Sequence, residues 1–168
     1  MTSYDMFENV LDDQPTHSAV IRTSLGDITV ELHTEHAPKA ANNFAFLANE
    51  GFWKDTIIHR VIPGFVVQMG DPTGTGTGGP GYTFADELDH ARDHGYPRGT
   101  LAMANAGPAT NGSQFFIVLK DAPLPPNYTV FGHVTDGMDA VDAIAEQPTD
   151  RADRPREDVF LRGVDMLS

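Results

Sequence analysis

Thr56-Ile57-Ile58-His59-Arg60-Val61-Ile62-Pro63-Gly64-Phe65-Val66-Val67-Gln68-Met69-Gly70-Asp71 is the stretch that decides the fold. It holds two short runs rich in β-branched and aromatic residues, at 56–62 and 65–69, parted by the turn pair Pro63-Gly64. Runs of that kind read as strands. Similar runs recur at 99–104, 114–119, 128–134 and 159–164. Near the N-terminus, 19–23 and 28–32 flank Leu25-Gly26-Asp27 and predict a hairpin, with Ile28, Val30 and Leu32 on one face. Only two segments read as helices. One is 36–50, with Pro38 in its first turn, Gly51 beyond its end, and Phe44, Leu47 and Ala48 as its apolar stripe. The other is 139–146, with Met138, Val141, Ile144 and Ala145 inward. Eight short strands and two helices do not alternate as βαβ units. They predict a mainly β fold, an antiparallel sandwich or closed barrel with helices over its ends.

The 168 residues suit one domain at 17–168, preceded by an acidic arm at 1–16 with a short helical turn expected at 6–11. Acids outnumber bases 24 to 11, giving a net charge of −13, which argues against binding to nucleic acid or an anionic membrane. Only three of the bases are Lys; with so many acids, that predicts a surface suited to high salt, where self-repulsion is screened. The chain has no Cys, so disulfides, thiolate metal sites and Cys nucleophiles are excluded. The N-terminus lacks the basic and apolar regions of a signal peptide, and no run reaches the ~18 apolar residues of a membrane span. The expectation is a soluble cytoplasmic protein.

Several motifs carry little chemistry. Gly74-Thr75-Gly76-Thr77-Gly78-Gly79 fits G-x-G-x-x-G, but Pro80-Gly81 follows where a nucleotide site needs a helix. His90 and His94 are four apart and His33 and His36 three apart, with no third ligand signalled, so they read as surface histidines. Asn111-Gly112-Ser113 and Asn127-Tyr128-Thr129 match a glycosylation sequon that a cytoplasmic protein would not use. No G-x-S-x-G or paired acid–base arrangement is present.

The informative region spans 57–71 and 101–119. Arg60 shares a strand face with Ile58 and Ile62 if 56–62 is one strand, which is unusual for a charge. Gln68 interrupts an apolar run. Gln114 and Phe116 share one face, and Phe115 and Ile117 the other. If the latter face the core, a Gln and a large aromatic are left at the surface. Met103-Ala104-Asn105-Ala106-Gly107 has small residues around an Asn and predicts an open backbone segment for an extended peptide. An Arg, two Gln, exposed Phe and an open backbone, with no nucleophile or base, suit peptide binding or a reaction without proton transfer.

These stretches resemble the cyclophilins. Residues 59–71 are similar to the family's first signature, 101–107 and 111–117 to the next two, and Val130-Phe131-Gly132-His133-Val134 to the fourth. The hairpin, the helix around Ala37-Pro38-Lys39-Ala40-Ala41-Asn42-Asn43-Phe44 and the Gly-rich loop match in order, so the resemblance covers about 18–164. It implies a single-domain, prokaryotic-like peptidyl-prolyl cis–trans isomerase that assists folding. It also implies a closed eight-stranded antiparallel barrel capped by two helices, and no cofactor or metal. The partners would be proline-containing peptides and unfolded chains, and the protein a monomer. The catalytic residue would be Arg60. Phe65, Val66, Phe116 and Leu124 would form the proline pocket, and Gln68, Ala104, Asn105, Ala106, Gln114 and Tyr128 would complete the substrate groove. A binding module using the same groove with little turnover is the alternative. The chain departs from the family at 120–128, shorter by about one residue: Pro123 stands near a frequent Trp, and Tyr128 at a frequent His. Val66 stands where Met is common, and the only Trp is Trp53.

Overall fold

Alternation builds the first hairpin. Ala19, Ile21, Ile28, Val30 and Leu32 are fully buried and fall on one face, because β1 (His17–Thr23) and β2 (Gly26–Leu32) pair Ala19 with Val30 and Ile21 with Ile28. The computed structural model describes residues 3–167. The remaining strands are β3 (Thr56–Ile57), β4 (Arg60–Ile62), β5 (Val66–Met69), β6 (Thr100–Met103), β7 (Phe115–Val118), β8 (Val130–Asp136) and β9 (Phe160–Met166). All pair antiparallel in one sheet ordered β3-β9-β1-β2-β8-β6-β7-β5-β4.

The sheet is therefore an open nine-stranded half-barrel, not the closed eight-stranded barrel expected. The predicted strand at 56–62 breaks at Ile58-His59 into β3, which pairs with β9, and β4, which pairs with β5. These fragments are the two edges, joined by chain rather than by a ladder. Backbone donors at the break turn to the 153–159 segment: Ile58 N–H to the Val159 carbonyl at 2.8 Å and Val61 N–H to Asp153 at 2.7 Å. Ile58 is consequently buried in the main core while Arg60 stays exposed, so the two do not share a face as a continuous strand would require.

Three helices, not two, are present among the described residues: α1 (Pro38–Asn49), α2 (Asp89–His94) and α3 (Met138–Ala145). Pro38 starts α1 where its missing N–H costs nothing, and the Glu87 carboxylate accepts the N–H groups of Lys39 and Ala40 at 3.0 and 2.9 Å. On α3 the buried residues are Ala140, Val141 and Ile144; Met138 and Ala145 are only partly buried. No helix follows the 74–79 loop, so it has no nucleotide-site geometry.

Strand periodicity splits the apolar residues into two layers. Phe115 and Ile117 enter the main core, where the Phe44 ring lies 4.9 Å from Trp53, 5.4 Å from Phe115 and 5.5 Å from Phe131. Phe116 and Val118 face outward, into a smaller cluster with Val66, Tyr96, Ala102 and Val130. That cluster covers Phe116, which is buried rather than exposed as expected. The arm at 3–16 forms no helical turn and lies docked, with Tyr4 5.2 Å edge-on to Phe46 and Phe7 5.3 Å from Phe84.

Candidate active site on the outer face of the sheet

Strand register places four side chains in one row. Arg60 on β4 is opposite Gln68 on β5, Gln68 opposite Phe116 on β7, and Phe116 opposite Ala102 on β6. Since Val61, Val67 and Ile117 point into the core, this row lies on the outer face. Phe65, Val66, Ala104, Asn105, Leu124 and Tyr128 join Arg60, Gln68 and Phe116 around a cavity of about 120 Å³. Ala106 and Gln114 line instead an adjoining cavity of about 590 Å³, which shares Arg60, Gln68, Ala104 and Asn105 with the first. All eleven residues singled out in the sequence thus border one continuous groove.

Hydrogen bonds fix its walls. The buried Tyr96 hydroxyl donates to the Tyr128 carbonyl at 2.7 Å and accepts the Tyr128 N–H at 3.0 Å. Burial raises the Tyr96 pKa. Asn105 Nδ2 donates to the Asn127 carbonyl at 2.9 Å. Gln68 Nε2 donates to Gln114 Oε1 at 3.1 Å, and Gln114 Nε2 to the Gly76 and Gly78 carbonyls, each at 3.0 Å. The 103–107 segment is less open than expected. Its N–H donors at Met103, Ala104, Ala106 and Gly107 bond to Thr129, Gln114, Thr110 and Asn105.

Asp71 was not singled out as a site residue, yet it organises the groove's glycine-rich side. It is fully buried and accepts the N–H groups of Thr73, Thr75, Gly76 and Gly78 and the Thr73 hydroxyl. Burial pushes this carboxyl up, but the bonds from Thr73, Gly78 and Gly76 outweigh it and hold its pKa below the ordinary value. A Cβ at Gly78 would strike Asp71 Oδ1. The Asp followed by Thr and Gly was the available signal for such a turn.

Arg60 is exposed and has no carboxylate partner among the described residues, whereas Arg22, Arg92, Arg98, Arg154 and Arg162 each have one. Behind it, both ring nitrogens of His59 are buried without a partner, and burial lowers its pKa, with Arg60 adding to the effect. Five histidines, more than sequence spacing suggested, gather around α2, whose Ala91 packs into the outer cluster. His33 lies 5.0 Å from His133, 4.9 Å from His90 and 6.3 Å from His36, and His90 lies 4.5 Å from His94, between ring centres. Their rings pack tilted or edge-on, and no group of described residues is placed to hold a metal ion.

Residues 18–166 match the family model described as cyclophilin type peptidyl-prolyl cis-trans isomerase. The chain belongs to this family. Its activity is peptidyl-prolyl cis–trans isomerisation. Peptidyl-prolyl cis-trans isomerase-like 1 of Gibberella zeae is 47% identical over 150 residues, covering 87% of this chain and 92% of that protein. Peptidyl-prolyl cis-trans isomerase ppi1 of Schizosaccharomyces pombe is 51% identical over 141 residues, covering 82% and 90%. A Cryptosporidium parvum cyclophilin, crystallised in the presence of the dipeptide Ala-Pro, superposes with a TM-score of 0.85 at 39% identity, covering 90% of this chain and 99% of that one. These relatives are eukaryotic, and they lend no support to the prokaryotic-like form expected from the sequence.

Proposed function

We propose that the groove accelerates rotation about X-Pro bonds in unfolded or flexible chains in the cytoplasm, with Arg60 as the catalytic residue and the protein acting as a monomer that assists folding. The prolyl ring would enter the small cavity against Phe116, between Phe65, Val66, Leu124 and Tyr128. The flanking backbone would lie along Gln68, Ala104, Asn105, Ala106 and Gln114. That the C. parvum relative was crystallised in the presence of the dipeptide Ala-Pro supports a proline-containing ligand of this kind.

The barrier to be lowered is the ~18–20 kcal/mol of amide conjugation. In the twisted transition state the prolyl nitrogen regains a lone pair, which a guanidinium stabilises by donating to it or through its charge. No proton leaves or joins the peptide, so the reaction needs neither acid, base nor metal.

The observation that carries this reading is the guanidinium of Arg60, without a carboxylate partner among the described residues, lining the same cavity as Phe65, Val66, Phe116 and Leu124. Exchange NMR on an Ala-Pro peptide with wild type and Arg60→Ala tests it. Loss of one such donor lowers kcat by about 10²–10³-fold, while peptide binding persists. A folded wild type that binds the peptide without speeding exchange would make the groove a binding module instead. The surface charge of −13 is adapted to salt on this reading, and the fold strengthens as salt rises; an equal melting temperature in low and molar salt refutes that part. The same charge disfavours nucleic acid and anionic membranes as partners.

A further inference from the structure

The arm at 3–16 contributes nothing to the sheet ladder or the proline pocket. Its contacts run to α1 and to one wall of the larger cavity. Tyr4 donates its N–H to the Pro80 carbonyl at 2.7 Å, and a Cβ at Gly81 would meet the Tyr4 carbonyl at 2.8 Å. Phe7 packs 6.1 Å from Tyr82 and 5.3 Å from Phe84. Pro80, Tyr82 and Thr83 form a wall of that cavity together with Gly112, which lies against Pro80.

Adjacent residues of α1 hold the arm and this wall, Asn42 the arm and Asn43 the wall. Asn42 Oδ1 accepts the N–H groups of Val10 and Leu11 at 2.9 and 3.0 Å. Asn43 Oδ1 accepts the Tyr82 hydroxyl, and Asn43 Nδ2 donates to the Gly112 carbonyl at 2.8 Å. Both Asn side chains are buried.

We propose that the arm is a brace that fixes the 79–84 wall in advance, so that it sets how tightly the groove holds residues flanking the proline; Tyr4 and Phe7 are positioning residues. This rests on the groove being the substrate site, as argued above. The wall is an irregular segment apart from its bridge at Phe84. Ordering such a segment on binding costs conformational entropy, and a segment already held costs less. A ligand confined to the proline pocket does not touch this wall and is indifferent to the brace.

The test uses the full chain as wild type, Phe7→Ala and Phe7→Leu, with two substrates: a blocked Ala-Pro dipeptide and an eight-residue peptide with proline at its centre. Exchange NMR at several substrate concentrations separates KM from kcat. For the long peptide, Phe7→Ala raises KM about fivefold, the scale of losing two aromatic contacts. Its kcat is unchanged, and Phe7→Leu recovers part of the loss. Dipeptide kinetics stay at wild-type values. An equal change for both substrates, or none for either, overturns the brace. Failure of the wild type to turn over either substrate overturns the assignment of the groove instead, which the wild-type arm reads independently.

Discussion

Asp71→Asn tests whether a single carboxylate builds the glycine-rich side of the groove. In the wild type, Oδ1 accepts the Thr73 N–H at 2.8 Å and the Thr73 hydroxyl at 2.7 Å. Oδ2 accepts the N–H groups of Thr75, Gly76 and Gly78 at 3.1, 2.5 and 3.2 Å. Asparagine keeps one acceptor oxygen and turns its NH₂ toward donors. In its better orientation it retains the three bonds at Oδ2 and loses the Thr73 N–H, which its NH₂ then faces, while the Thr73 hydroxyl turns to accept a weaker, neutral bond. Hydrogen bonds to a charged group contribute about 1.5–3 kcal/mol each, and rehydration of the exposed loop recovers part, leaving a cost of roughly 2–4 kcal/mol. One kcal/mol moves the Tm of a chain this size by about 2–4 °C, so the expected drop is roughly 5–15 °C. The groove is affected because Gly76 and Gly78, whose N–H groups bind Asp71, also hold Gln114 through their carbonyls. KM for a proline peptide should rise severalfold; with the catalytic role proposed for Arg60, which the change leaves untouched, kcat should stay nearly constant. The sign with pH is fixed by the depressed pKa of Asp71. The carboxylate stabilises the fold above the ordinary carboxylate value of about 4, and that contribution is lost as pH falls through the lower folded value. The Tm gap between wild type and variant should therefore close in strong acid. Calorimetry at neutral and acid pH, with exchange kinetics, reads all three. A variant within 2 °C of wild type and with unchanged KM would refute the reasoning.

Three further outcomes follow from the same geometry. Tyr96→Phe removes the hydroxyl that grips both the N–H and the carbonyl of Tyr128; stability should fall by about 1–3 kcal/mol and KM should rise, and wild-type values for both would deny Tyr96 its role. Phe44→Ala empties the centre of the ring cluster and should cost about 3–5 kcal/mol in urea unfolding, with kcat of the folded fraction retained. Burial holds the His33 pKa down to about 4, and burial lowers His90 and His59 in the same direction. Between about pH 6.5 and 4 the unfolded chain then binds more protons than the native one, so Tm should fall as pH falls through that window; a flat or rising Tm there contradicts it.

Much of the scaffold and site was legible because it follows local periods. Phe115, Phe116 and Ile117 announce two layers by alternation alone, and Gly26 and Pro63-Gly64 mark their turns. Arg60 and Gln68 stood out as polar residues in apolar runs, and their row with Phe116 follows once strands pair. The break at Ile58-His59 carries no Gly or Pro, so a β-branched run read as continuous and the sheet as closed. Helix α2 has six residues and one buried side chain, Ala91, too few for a helical period. The histidine patch joins residues as far apart as His33 and His133, linked by a 2.7 Å hydrogen bond; spacing along the chain cannot reveal it. Docking of the acidic arm depends on Tyr4 and Phe7, two aromatics whose partners lie on α1 and the 79–84 wall.

An excess of acids over bases, 24 to 11, makes an unpaired guanidinium hard to keep. Five other arginines have taken carboxylates. An Arg60 so paired would already be donating, and would have less to give to a twisted amide. The acid within the first signature itself is Asp71, close enough for its charge to act on His59, which also feels Arg60. Its two oxygens are filled by five donors from the glycine-rich loop. The loop therefore does two things at once. It shapes the groove through Gln114, and its donors satisfy the buried Asp71 carboxylate. A guanidinium keeps its charge throughout the neutral and mildly acid range, so acid acts on the scaffold: through the histidines whose pKa burial lowers, between about pH 6.5 and 4, and through Asp71 in stronger acid.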